Sequence, residues 1–296
     1  MVEKEALDTW NSLLKKMPPI SQSIRENIAE AESNAQDDSS KHLDFWFSIL
    51  DEGMSLLVLL QELSEESFDN LTEKPPPSFL LLLSRACNLT FAVRRLLLNG
   101  LEDAARPVAR SFLETLDLAL ATLTDDDLSN RFWGGDDANE NHADIFWKNY
   151  IAGGKIEPRI RHTMQVADIG EETQNIIFEF RKNSKKTLSS SVHSSIDSAF
   201  RSFYVPSLAT PGILTKSIFG HISILSPELL SFMIRAIYLY CFPILLLCRD
   251  ENPPKVLAGE RSVGKEENAF NIFLALDKII RTYDHLFPPE FELPEE

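Results

Sequence analysis

"SFLLLLSRACNLTFAVRRLLLNG" (residues 78–100), followed directly by "LEDAARPVARSFLETLDLALATL" (residues 101–123), decides the fold class. In the first stretch apolar side chains point in nearly every direction around a helical wheel, interrupted only by Arg85, Asn88, Arg94 and Arg95. A helix apolar all round is enclosed by other helices, so residues 79–98 are expected at the centre of a bundle, capped by Asn99 and Gly100. The second stretch places Ala105, Val108, Ala109, Phe112, Leu116, Ala119, Leu120 and Leu123 on one face. The break between the two is very short, so they are expected to be antiparallel neighbours.

The same spacing continues outward in both directions. A helix over residues 3–17 stops at Pro18 and Pro19, because proline removes a donor and restricts the residue before it. A polar helix with Ser21 as N-cap follows, then "DDSSK" (37–41) as a linker, and a long helix over 42–67 carrying Phe45, Trp46, Ile49, Leu56, Leu57 and Leu60. Beyond residue 123, an acidic, aromatic-bearing insert over about 124–158 reads as two short helices that cap the bundle. A helix is expected from Glu171 to about Phe203, and "ILTKSIFGHISIL" (213–225) alternates enough to be an extended segment. Ser226 and Pro227 open an apolar helix, and an amphipathic helix spans about Glu266–Leu286. The expectation is an all-α antiparallel helical bundle, with N-terminal helices (1–70) packing on a main bundle (71–296).

The chain is 44% hydrophobic and 25% charged, the composition of a folded protein with a sizeable core. Its formal net charge of -16 makes the surface as a whole repel phosphate backbones and anionic lipid. Neither DNA nor a membrane is an expected partner. Cys87, Cys241 and Cys248 each lie inside an apolar run, which fits reduced thiols in a cytoplasm. The N-terminus lacks a basic region followed by an apolar stretch, so it does not read as a secretion signal, and a cytoplasmic location is expected. "AIYLYCFPILLLC" (236–248) is free of charge but short of the roughly 20 residues a span needs, and reads as a buried core helix.

Two chemistries are set aside by motif. "GERSVGKE" (259–266) is one residue short of a phosphate loop, with Glu266 where a hydroxyl would bind magnesium. It reads as a loop into the last helix, whose N-terminus favours Glu266 and Glu267. No Glu-x-x-His or His-x-x-x-His pair occurs, and Glu140, His142 and Asp144 in "ENHAD" alternate in direction on a helix. No metal or other cofactor is expected.

Two segments carry candidate chemistry. Arg106, Arg110 and Glu114 follow at i, i+4 steps with Asp117 close by, on the side of their helix opposite the apolar stripe. Such a row is either a solvated ladder of ion pairs or a polar face turned toward a second layer of helices. His193, flanked by Ser189, Ser190 and Ser194, stands at the edge of an apolar stripe as a hydrogen-bonded helix residue or an acid–base group. The Arg-Ser-x-x-Glu run of Arg110, Ser111 and Glu114, followed some eighty residues later by the Ser-x-x-Val-His run ending at His193, resembles an uncharacterised bacterial all-helical family over residues 79–250. Proteins of this kind resemble the HEPN class, whose ribonucleases act in toxin and phage-defence systems with an Arg and a His separated by four to six residues. Arg281 and His285 have three residues between them. Two functions follow as expectations. One is a non-catalytic helical module that binds a protein partner or itself in a bacterial defence or stress system. The other, implied by the resemblance, is a metal-independent endoribonuclease acting on RNA through Arg110, Glu114 and His193.

Overall fold

The computed structural model describes residues 4, 8, 12, 19–134, 142–192, 200, 204–210, 212–216 and 220–287. Among these, ten α-helices and one short two-stranded ribbon are formed, so the chain is all-α as expected. The helices are α1 (Pro19–His42), α2 (Asp44–Asp69), α3 (Ser78–Leu98), α4 (Glu102–Thr124), α5 (Asp126–Trp133), α6 (His142–Phe146), α7 (Glu157–Val166), α8 (Glu171–Val192), α9 (Ser226–Arg249) and α10 (Val263–Thr282). Strands β1 (Tyr204–Pro206) and β2 (Leu214–Lys216) pair antiparallel, with Val205 opposite Thr215. Among its described residues, the extended segment expected over 213–225 forms β2 and one bridge between Ser207 and Ser223. The helix expected over 3–17 lies outside the described residues except at 4, 8 and 12, and residues 193–199 and 201–203 of the helix expected to reach Phe203 lie outside them as well.

The most enclosed helix is α9. It is long and apolar enough to cross a membrane, yet 78% of its most apolar window is buried and it packs against α2, α4, α7 and α10. This corrects the expectation that residues 79–98 hold the centre. On α3 the residues Leu81, Arg85, Asn88, Phe91 and Arg95 form one exposed stripe, with Leu81 48% and Phe91 49% exposed. Arg85 and Arg95 keep that stripe in water, because a guanidinium cannot enter an apolar interior without a partner. The other faces of α3 meet α4 and α2.

The α3–α4 corner anchors two further segments. Its turn is closed by Leu101 N donating to Leu96 O at 2.8 Å and Gly100 N to Leu97 O at 3.0 Å, the paired bonds of a glycine-capped helix end. The sequence "DDSSK" is not a linker here, since α1 runs through it. Ser39 Oγ donates to Leu98 O at 3.1 Å and Gln36 Nε2 to Asn99 Oδ1 at 2.8 Å. Docking on the corner gives these side chains partners, which removes the turn preference they show in isolation. From the other side the 204–224 segment closes on the same corner, with His221 N donating to Gly100 O at 3.0 Å. Gly100 (φ +69) and Gly220 (φ +94) face each other's backbone so closely that a Cβ on Gly220 would lie 2.1 Å from Asn99 O.

Gly220→Ala is therefore expected to lower stability by about 2 kcal/mol or more, through the left-handed backbone and the clash together. Gly170→Ala, whose added carbon meets nothing within 4 Å, is expected to stay within about 0.5 kcal/mol of the parent. Urea unfolding followed by circular dichroism distinguishes the two.

Candidate functional site

The polar row on α4 is part sealed and part solvated: Arg106 and Asp117 are buried, whereas Arg110 pairs with a Glu114 side chain that is 46% exposed, as in a solvated ladder. Asp117 is 1% exposed and Arg106 is 1% exposed, because α8 and α7 pack over that side of α4 while α9 packs against another. Asp117 Oδ1 accepts from Arg181 Nε at 2.7 Å and from Tyr240 OH at 2.6 Å. Its Oδ2 lies 2.5 Å from Lys185 Nζ. Three helices, α4, α8 and α9, thus meet at one carboxylate. Arg181 reaches a fourth through Glu157 of α7 at 3.6 Å, and Glu157 also accepts from Arg161 at 3.2 Å.

The electrostatics follow from burial. For Arg181 desolvation opposes the charge, but the Asp117 carboxylate outweighs it and holds the guanidinium charged more firmly than usual. Burial, followed by the Asp117 charge, pushes the Tyr240 hydroxyl well above its ordinary value. Tyr240 is therefore a neutral hydrogen-bond donor at physiological pH.

Of the three candidate catalytic residues, Arg110 and Glu114 are in contact, with Arg110 Nε donating to Glu114 Oε1 at 2.9 Å. Arg110 Nη1 also donates to Lys185 O at 2.8 Å and contacts Ser189 Oγ, while Ser189 Oγ donates to Lys185 O at 2.5 Å. The Arg110 run on α4 and the serine run on α8 are thus brought together at Ser189. His193 lies outside the described residues. Arg106 of the same row bonds Glu102 at 2.6 Å in a nearly sealed pair.

The other sequence candidates have structural roles. Lys265 of the phosphate-loop-like segment lies 2.7 Å from both Glu62 and Glu66 of α2. Gly259 is pressed on the end of α2, with its N–H donating to Ser67 Oγ at 2.9 Å. Backbone and lysine are both committed within the chain, so the segment does not form a phosphate cradle. His142 stacks on Phe146 at 6.3 Å between ring centres, and Glu140 lies outside the described residues. No group of three or more His, Cys, Asp or Glu side chains converges among the described residues. The three cysteines are free; burial raises Cys87 to about 11 and Cys248 to about 12, so neither thiol is activated.

One contact escaped the sequence reading. His221 Nε2 lies 2.9 Å from Ser207 Oγ, the spacing of a base and a nucleophile. Ser207 is 1% exposed, and its oxygen already accepts from Thr210 N at 3.0 Å. Burial lowers the His221 ring from its usual value, with Asp38 pulling the other way. The pair latches the 204–224 segment, and no spacing rule in the sequence links the two residues.

Neither a family model nor a curated protein nor a solved structure matches this chain.

Asp117→Ala is expected to cost about 3–5 kcal/mol, because it leaves the Arg181 charge buried without its partner. Asp117→Leu combined with Arg181→Met is expected to recover most of that loss, and denaturant unfolding of both variants is the check. A second expectation concerns Glu228 in the first turn of α9. Burial raises its carboxyl above the ordinary 4.5, with Arg106 opposing and Glu102 adding to the rise. An acid raised on folding favours the native state below its unfolded value and loses that advantage as pH rises through its folded value. Glu228→Gln is therefore expected to melt higher than the parent at pH 7, with the difference vanishing below about pH 4.5 in a melting series across pH.

Proposed function

We propose that this chain is a non-catalytic helical module of the bacterial cytoplasm that works by holding a protein partner or a second copy of itself. One observation carries this reading. The charged residues of the α4 row are engaged within the fold: Arg106 by Glu102, Arg110 by Glu114 and the α8 backbone, and Asp117 by Arg181, Lys185 and Tyr240. Acid–base catalysis requires a group free to reach the proton it moves. The phage-defence or stress setting rests on the motif resemblance alone.

The second reading, a HEPN-like metal-independent endoribonuclease, draws support from the approach of Arg110 to Ser189 at the end of α8. It assigns Arg110, Glu114 and His193 to cleavage of RNA.

Incubation of purified protein with single-stranded RNA in the presence of EDTA separates the two. The expected result is intact RNA with the parent protein and with His193→Ala. Cleavage that disappears in both His193→Ala and Arg110→Ala would replace the module by the nuclease. Light scattering after size exclusion, run on the same preparation, reports whether the chain pairs with itself.

A further inference from the structure

We infer that the groove between α2 and α3 is a docking surface for an acidic amphipathic helix of a partner protein; this rests on the interaction-module reading above. The groove encloses about 600 Å³. Met54, Val58 and Leu59 of α2 and Phe91 of α3 form its apolar part, and Arg94 and Arg95 border it. Phe91 is 49% exposed, an aromatic side chain that the described residues do not cover fully. Exposed aromatic and arginine side chains bordering a pocket are the residue types that dominate binding energy.

The charge pattern selects the occupant. Arg94 is neutralised by Asp51 through two bonds of 2.5 and 2.8 Å and lies over the Phe47 ring. Arg85 and Arg95 have no ion-pair partner among the described residues. Farther along α2, Glu62 and Glu66 are already held by Lys265. A chain of net charge -16 thus carries two guanidiniums without an ion-pair partner among the described residues on one exposed stripe, beside Leu81 and Phe91. From Leu81 to Arg95 that stripe runs about 21 Å at 1.5 Å per residue, the length of a helix of about 14 residues. Phe91, Arg94 and Arg95 are the α3 residues of the groove wall, and Arg85 continues the same stripe beyond it; an amphipathic helix laid in the groove seats its apolar face on Phe91 and Leu59 and its flanking carboxylates on Arg95 and, farther along, on Arg85. A second groove, about 430 Å³ between α2 and α10, has only Glu52 as a charged wall residue and nothing that selects an occupant.

Two fluorescent helical peptides with the same leucine stripe, one flanked by glutamates and one by lysines, provide the test. The molecule's overall charge favours the lysine peptide, so a preference for the glutamate peptide can only come from the local surface. At 0.15 M salt the distant charges are screened beyond about 8 Å. By fluorescence polarisation the glutamate peptide is expected to bind at least about tenfold more tightly than the lysine peptide, about 1.4 kcal/mol. Phe91→Ser and Arg95→Glu should each weaken it by about tenfold or more, and both sites are exposed enough for circular dichroism to remain unchanged. Equal affinities, a preference for the lysine peptide, absence of binding by both, or indifference to the two substitutions would each overturn the inference. Self-association abolished by Phe91→Ser would assign the groove to a second copy, ending this inference while the module reading stands. RNA cleavage dependent on His193 and Arg110 would end the module reading, whatever the peptides do.

Discussion

A carboxylate sealed among helices must be matched in charge and hydrogen bonds, and Asp117 imposes that demand at the middle of α4. The matching groups come from two other helices, Arg181 and Lys185 from α8 and Tyr240 from α9. Apolar contacts alone would let α8 and α9 slide or rotate against α4 at little cost, because one leucine stripe packs on another in several registers. A short bond to a single carboxylate does not permit that freedom. Burying such a pair adds little to net stability, since desolvation offsets most of the attraction. Its contribution is to the arrangement: Arg110 then lies over Lys185 and Ser189, and Glu157 draws α7 to Arg181.

The same bonds engage the row within the fold. An arginine whose donors are taken by a carboxylate, a carbonyl and a hydroxyl fastens two helices. Two arginines without an ion-pair partner among the described residues, Arg85 and Arg95, lie on the outer face of α3, with Phe91 and Leu81 in water. Charge within the bundle thus fixes how α4, α8 and α9 sit against one another.

Much of the fold was legible because it is local. The amphipathic period of α4, the glycine cap at Gly100 and the short turn between α3 and α4 each depend on residues within a few positions of one another. The relative places of α3 and α9 were harder to read, since both are strongly apolar. Arg85 and Arg95 were the signal that α3 has a wet side, whereas the central part of α9 has only Arg235 to break it. The "DDSSK" stretch misled for a related reason: its preference for a turn holds only until Ser39 and Gln36 find partners on another corner. The Ser207–His221 latch left no trace in spacing because it joins residues 14 apart across a ribbon.

The sequence by itself determined the helical class, the amphipathic faces and the i, i+4 row of Arg106, Arg110 and Glu114, because each is set by the pitch of one helix. Only the tertiary structure decided that α8 meets this row at Arg110 and that the outer stripe of α3 is exposed among the described residues. Whether a polar side chain meets water or another helix depends on surfaces brought together from residues as far apart as Asp117 and Tyr240, and no periodicity within a single segment records that encounter.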